Sequence, residues 1–220
     1  MIKAVLFDLD GTLVKSLDDL ANAVNFSLSK YGFPIHETEK YKIFAGDGIP
    51  KMIERALPPE NRDAKTHKKV LQCFFERYAE HCSDTSVAYD GVKELVSALK
   101  EKGIKVAVVT NKEQSLANKV VFDIYGDVFD IVCGTGEGIP KKPDPTSTLL
   151  VMQNLSVTPQ ECIFIGDSGV DVLTGRSSGA VSVGVLWGYR EKQEFIDSNA
   201  EYIISAPYEL LGIIKEKNER

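Results

Sequence analysis

The sequence predicts an α/β protein: a doubly wound, mainly parallel, Rossmann-like sheet whose first strand is followed by an all-helical insertion. Three observations lead there. A short apolar run, Ile2 to Phe7, opens the chain and ends in Asp8-Leu-Asp10-Gly11. From about residue 15 to 83 the apolar spacing is helical, with no convincing strand. From Asp90 onwards strand and helix patterns alternate, as in a parallel sheet covered on both faces. The predicted division is a core of residues 1–14 and 86–220 and a helical domain of residues 15–85.

Each element has a local reason. Ile2 to Phe7 is partly β-branched and runs into a turn, so it reads as a buried strand. Ser16 is a candidate helix cap, with Leu17, Leu20, Ala21, Val24 and Leu28 at helical spacing behind it and Gly32 and Pro34 as stops. Gly46-Asp47-Gly48 reads as a tight loop, with Pro50 at a first helical position and Met52, Ile53 and Ala56 behind it. Val70, Leu71, Phe74, Phe75 and Tyr78 form a further helical stripe. Asp90 is expected to cap a helix carrying Val92, Leu95, Val96 and Leu99, which Gly103 ends. Strands are expected over 104–109, 131–133, 162–165, 180–185 and 202–204. Helices are expected around Leu116 to Val121 and over 145–154, 170–178 and 208–217.

The chain has 220 residues, 43% of them hydrophobic and 26% charged, which excludes a disordered chain, a collagen and a coiled-coil rod. Its net charge of −6 argues against phosphate-led binding of nucleic acid or an anionic membrane. No run approaches the roughly 18 apolar residues of a membrane span, and the start does not read as a signal peptide, because Asp8 and Asp10 break its apolar run. Cys73, Cys82, Cys133 and Cys162 form no C-x-x-C pair and read as buried thiols of a reducing compartment. The expected location is the cytoplasm. Residues 15–85 hold 11 Lys/Arg against 11 Asp/Glu, leaving 15 against 21 in the rest. The excess negative charge therefore lies in the predicted core, where a cation site becomes plausible.

In open α/β sheets ligands gather at the carboxyl ends of strands. Four groups of residues fall there: Asp8 and Asp10 with Gly11 and Thr12; Thr110 with Asn111; Lys141-Lys142-Pro143; and Asp167-Ser168 with Asp171. Each taken alone also reads as a turn, a helix cap or a solvated charge; their shared edge is what favours a site. Carboxylates about 4 Å apart repel by about 4 kcal/mol at an effective dielectric near 20, so protons or a cation must compensate. The ligands are all oxygen, which suits Mg2+, and no His/Cys set offers a zinc site. A carboxylate beside Mg2+, with a lysine and hydroxyl or amide donors opposite, suits a phosphoryl group.

Asp8-Leu-Asp10-Gly11-Thr12, Thr110-Asn111, Lys142-Pro143 and Gly166-Asp167-Ser168-x-x-Asp171 resemble, in order, the four motifs of the haloacid dehalogenase-like phosphatases. The match spans nearly the whole chain and includes the place and size of a helical cap. Asp10-Gly-Thr-Leu-Val, the Asp18-Asp-Leu-Ala-Asn-Ala-Val24 helix, Val108-Val-Thr-Asn-Lys112 and Val183-Gly-Val-Leu-Trp-Gly-Tyr189 resemble the phosphoglycolate phosphatase branch. The resemblance implies Asp8 as nucleophile, forming an aspartyl-phosphate. It implies Asp10 as the acid at the leaving alcohol and then the base at water, with its backbone carbonyl on Mg2+. Asp8 and Asp167 would bind the metal through carboxylates, and Asp171 would orient its waters. Thr110, Asn111 and Lys142 would hold the phosphate; Lys141 is the neighbour to be distinguished from Lys142. Gly46 and Gly48 suit close backbone approach to a small leaving group, and Lys51, or Lys15 at the hinge, would pair with a carboxylate on it. Relatives often carry a carboxylate where this chain has Lys15.

The expected activity is therefore Mg-dependent hydrolysis of a small acidic phosphomonoester, with 2-phosphoglycolate the first candidate. The expected partner is a small phosphorylated metabolite, with neither nucleic acid nor membrane; oligomeric state stays open. The nearest rival is a phosphosugar mutase similar to β-phosphoglucomutase, whose cap needs a second phosphate-binding patch; the loop from Ala45 to Lys51 offers an acid and two glycines before its first cation. A receiver-like signalling domain shares clustered Asp, Thr and Lys but lacks a helical insertion after its first strand. Gly166-Asp-Ser-Gly169 is similar to the nucleophile turn of chymotrypsin-like proteases, yet those are antiparallel barrels. Ser168 reads better as a helix cap. Gly134-x-Gly136-x-Gly138 lacks the Lys-Ser/Thr of a phosphate-binding P-loop. His36, His67 and His81 have no metal-like spacing. Trp187 and Tyr189 read as packing residues near the rim of the site.

Overall fold

The computed structural model describes residues 1–45 and 48–219. Two compact units emerge: residues 1–15 with 88–220, and residues 16–87. In chain order the first strand is β1 (Ala4–Phe7), followed by β2 (Val14–Lys15) and the helices α1 (Leu17–Lys30), α2 (Tyr41–Phe44), α3 (Ile49–Ala56) and α4 (Ala64–His81). Then come β3 (Val87–Ala88), α5 (Val92–Glu101), β4 (Lys105–Glu113), α6 (Gln114–Tyr125), β5 (Ile131–Thr135) and α7 (Thr146–Asn154). The chain ends with β6 (Cys162–Gly166), α8 (Gly169–Ser178), β7 (Val181–Val185), α9 (Lys192–Asp197), β8 (Tyr202–Ile204) and α10 (Glu209–Glu219).

The larger unit is a six-stranded sheet in the order β5-β4-β1-β6-β7-β8. Every neighbouring pair is parallel. β1 lies between β4 and β6, with Phe7 level with Val108 on one side and Ile165 on the other. Because side chains alternate along a strand, Ala4, Leu6, Ala107, Val109, Cys162 and Phe164 share one face. They pack there on Val151, Met152 and Leu155 from α7 and the residue after it. Phe7 points the other way and meets the edge of the Phe129 ring at 6.3 Å. Both faces are covered, which is why the strands read as continuous apolar runs.

The smaller unit is helical. Leu20, Ala21, Val24 and Leu28 of α1 and Val70, Phe74 and Tyr78 of α4 are buried, and the two helices pack on each other. Tyr78 stacks on Phe74 at 4.9 Å. Asp63 caps α4 by accepting from the amides of Lys65 and Thr66. The buried Asp19 carboxylate accepts from the amides and hydroxyls of Thr85 and Ser86, the hydroxyl contacts at 2.6 Å, which fastens the end of this unit to its first helix. The His36 imidazole bonds to the Ala56 carbonyl and packs edge-on against Tyr41 and Phe44.

The structure differs from the sequence reading in several places. Asp90 does not cap α5; Gly91 holds that position at φ +79°, and the exposed Asp90 carboxylate pairs with Lys15 Nζ at 3.2 Å. A left-handed residue ahead of the first turn moves the helix start one residue on. Ser16 precedes α1 without its side chain bonding to the first-turn amides. The two-residue strands β2 and β3 and the short helices α2 and α9 carry too few residues to show a period. β4 and β5 run further than expected, because β4 continues past a register irregularity between Val109 and Glu113. Phe75 is only half-buried. The parallel sheet excludes the antiparallel protease barrel, and Ser168 does precede a helix. All four cysteines are free. No helix among the described residues is long and apolar enough to cross a membrane.

Candidate active site

The chain leaves β1 at Asp8, whose amide still donates to the Ile165 carbonyl of β6 at 2.9 Å. That bond carries Asp8 to the end of the sheet, beside the loop that follows β6. The turn over residues 9–14 is closed by the Gly11 amide on the Val14 carbonyl. Gly11 is required twice over. Its φ is +89°, and a Cβ there would lie 2.2 Å from Asp167 Oδ2.

After β6 the chain reaches Asp167 and enters α8. Ser168 donates to Asp171 Oδ2 from its amide at 3.0 Å and from its hydroxyl at 2.6 Å, which fixes the Asp171 carboxylate at the helix start. On the other side of β1, β4 carries Thr110, Asn111 and Lys112. Thr110 and Lys112 are buried, and the Lys112 amide donates to Thr110 Oγ1 at 3.2 Å. Asn111 clasps the main chain of Lys142, accepting from its amide at 2.8 Å and donating to its carbonyl at 3.3 Å. So held, the buried Lys142 ammonium donates to Asp8 Oδ1 at 2.6 Å and to Asp171 Oδ1 at 2.7 Å. Lys141 is exposed.

The carboxylates of Asp8, Asp167 and Asp171 offer oxygens that all lie within 4.8 Å of one another. The Asp10 side chain turns instead to Lys112, whose ammonium reaches both Asp10 oxygens at 2.9 Å. Burial above all, and then the Asp171 charge, push Asp8 up to about 7 against the pull of Lys142. Asp167 is likewise raised well above its usual 3.8, by burial and then by Asp171 and Asp8. Burial works against the Lys142 charge, yet Asp171 and Asp8 outweigh it and raise its pKa. Four carboxylates face two ammonium groups, a formal excess of two negative charges. Such a site takes protons or a divalent cation.

The donor set fits a hard cation. Both Asp171 oxygens are engaged, by Lys142 and by Ser168. Asp8 Oδ2 and Asp167 Oδ1 have no hydrogen-bond partner among the described residues. These are the two oxygens left for a metal.

One set of residues carries more than the packing role read from the sequence. The loop after β7 lies against both aspartate loops. Trp187 Nε1 donates to the Thr12 carbonyl at 3.0 Å and the Tyr189 amide to Asp167 Oδ2 at 2.8 Å. Between them Gly188 is so close that a Cβ would lie 2.2 Å from Asp167 Cβ and 2.5 Å from the Gly11 carbonyl oxygen. A glycine between two aromatic residues was the available signal. Of the residues assigned to the helical domain, Gly48 precedes α3 at φ +88° and Lys51, in its first turn, pairs with Glu54 at 2.9 Å. Gly46 lies outside the described residues.

A parallel sheet with this strand order and these clustered aspartates at its strand ends defines a class. The chain belongs to the haloacid dehalogenase-like hydrolases, whose family model matches residues 2–179. It is similar to the phosphoglycolate phosphatase of Chromobacterium violaceum, with 34% identity over 219 residues that cover 97% of each chain. The phosphoglycolate phosphatase of Haemophilus influenzae is also 34% identical, over 96% of this chain and 98% of its own. A solved structure from Lactobacillus delbrueckii subsp. bulgaricus superposes with a TM-score of 0.89 at 29% identity, covering 94% of this chain and 96% of that one. The chain is thus an enzyme of the phosphatase type within this family.

Proposed function

We propose that the protein is a Mg2+-dependent phosphomonoester hydrolase that works through an aspartyl-phosphate on Asp8, with 2-phosphoglycolate as its substrate. The observation that carries the chemistry is the Asp8 carboxylate, held at the end of β1 by a buried lysine 2.6 Å away in a cluster of three carboxylates. The substrate rests on relatives of nearly equal length that are named phosphoglycolate phosphatases.

In this reading the Asp8 carboxylate oxygen that is not left for the metal attacks phosphorus as the bond to the leaving oxygen breaks, and Asp10 gives that leaving oxygen its proton. Asp10 then takes a proton from water as the water attacks the aspartyl-phosphate, which frees phosphate and restores Asp8. Lys142 and the Thr110 hydroxyl neutralise and orient the phosphoryl oxygens. Asp8 and Asp167 would hold Mg2+, which would supply positive charge to the phosphoryl group and let both carboxylates stay ionised. Asp171 keeps Lys142 aligned. Gly48 and Lys51 are assigned to the substrate's leaving group, together with Gly46. Four free cysteines support a cytoplasmic enzyme.

The test is release of inorganic phosphate with Mg2+ from 2-phosphoglycolate, glucose 1-phosphate and p-nitrophenyl phosphate. A clear preference for 2-phosphoglycolate is expected, with a phosphoenzyme trapped on Asp8 and absent from Asp8→Asn. Conversion of β-glucose 1-phosphate to glucose 6-phosphate without phosphate release would mean a mutase.

A further inference from the structure

Lys112 is a buried lysine with its side chain 2% exposed, in the unit that holds the site. Lysine is seldom buried so fully without a specific charge partner. Its ammonium reaches both oxygens of Asp10 at 2.9 Å, across 102 residues of sequence. Asp10 is more open, its side chain 22% exposed. The rigid partner of this pair is therefore the lysine, and the group it holds is the one that faces solvent. β4 explains the placement. Thr110 and Lys112 are both buried, in the stretch of β4 where its register against β5 shifts, while Asn111 between them turns to the main chain of Lys142. The Lys112 amide on Thr110 Oγ1 ties the two together.

We propose that Lys112 is a positioning residue that aims the Asp10 carboxyl group for both of its proton transfers. This inference rests on the aspartyl-phosphate reading above. In the first transfer the protonated Asp10 keeps one oxygen as acceptor for Lys112. The other oxygen releases its proton to the leaving alkoxide as the phosphorus–oxygen bond breaks and the Asp8–phosphorus bond forms. In the second, the Asp10 carboxylate, still gripped, takes a proton from the water that displaces Asp8 from phosphorus. Lys112 itself touches neither the phosphoryl group nor the leaving alcohol. Without it Asp10 stays in the turn but loses the ammonium that holds both of its oxygens, and a misaimed acid loses most of its effect.

This role separates from phosphate binding by the leaving group. An alkyl phosphate needs a proton at its leaving oxygen, whereas p-nitrophenolate departs without one. The experiment measures the single-turnover rate of phosphoenzyme formation, with Mg2+, in wild type and Lys112→Met. From 2-phosphoglycolate the variant should lose roughly 10²-fold, the scale of positioned acid catalysis. From p-nitrophenyl phosphate it should stay within about threefold of wild type, with a burst of p-nitrophenol followed by slow turnover as unhydrolysed phosphoenzyme accumulates. Equal losses with both substrates, or none with either, would overturn the proposal. Because Lys112→Met removes a positive charge beside the Asp10 carboxylate, a second comparison uses Asp10→Asn with and without Lys112→Met, which removes both charges. If Lys112 acts through Asp10, adding Lys112→Met to Asp10→Asn changes phosphoenzyme formation from 2-phosphoglycolate by less than about threefold. A further large loss in that background would also overturn it. Failure of wild type itself to form a phosphoenzyme would instead sink the proposed function.

Discussion

Replacing Asp167 by asparagine removes one negative charge from the crowded end of the sheet while keeping the shape of the side chain. One of its oxygens lies within 4.8 Å of an oxygen of Asp8 and of one of Asp171. At that distance and an effective dielectric near 20, each pair of carboxylates repels by about 3.5 kcal/mol. Two neighbours give about 7 kcal/mol before compensation, which Lys142 and proton uptake by the carboxylates reduce. A net relief of about 2–4 kcal/mol is what remains. The amide oxygen still accepts from the Tyr189 amide, so that contact survives. In EDTA at pH 8 the variant should therefore melt about 5–12 °C above wild type. Trp187 is the one tryptophan of the chain and bonds to the Thr12 carbonyl beside the site, so its fluorescence follows unfolding of this unit. The gain must depend on pH. Asp167 keeps its proton to higher pH in the folded chain than its usual 3.8. Its contribution to stability is therefore full below about pH 4 and is lost as pH rises through the folded value. The uncharged amide of the variant suffers no such loss, so the advantage should shrink at pH 5. Mg2+ stabilises wild type by binding to the folded state and should narrow or reverse the difference at pH 8. A variant less stable than wild type in EDTA at pH 8, or one with an equal gain at pH 5 and pH 8, would refute the electrostatic account.

Lys142→Ala should lower turnover by roughly 10²–10³, as loss of a strong transition-state stabiliser does, while Lys141→Ala, at an exposed position, should cost little; steady-state phosphate release compares them. Gly188→Ala should destabilise the α/β unit by about 1–3 kcal/mol and weaken Mg2+ binding, because the new methyl displaces Asp167 or the Gly11 carbonyl; thermal melts and a Mg2+ titration of Trp187 fluorescence report both. Activity should vanish in EDTA and return with Mg2+. Ca2+ should inhibit, since its higher and looser coordination engages both oxygens of Asp8 and spoils in-line attack; undiminished activity after stringent chelation would argue against a metal at this site.

The fold class was legible in the sequence because its signals are local. A strand buried on both faces must be apolar at every position, and Ala4 to Phe7 obeys that rule. A helix must repeat its apolar side chains every turn, and α1 and α4 do. The turn chemistry is local too: Ser168 and Asp171 stand three apart and bond across the first turn of α8. For the same reason Asp8, Asp167 and Lys142 could be picked out as residues that follow strands or precede helices.

What the sequence could not decide is pairing over distance. Nothing near Asp10 says that its carboxylate meets Lys112 rather than Lys142, which takes Asp8 and Asp171 instead. Nothing near Asn111 says that its amide clasps the main chain of Lys142. The loop from Trp187 to Tyr189 closes on Asp167 and on residues 11 and 12 only because β7 lies beside β6 and β6 beside β1. Local composition determined which segments become strands and helices, and which acids and bases stand at their ends. The lateral order of the strands decided which of those charges become neighbours, because hydrogen-bonded strands hold residues far apart in the chain within one side chain's reach, and only there does burial raise Asp8 and Asp167 and force Lys142 to answer them.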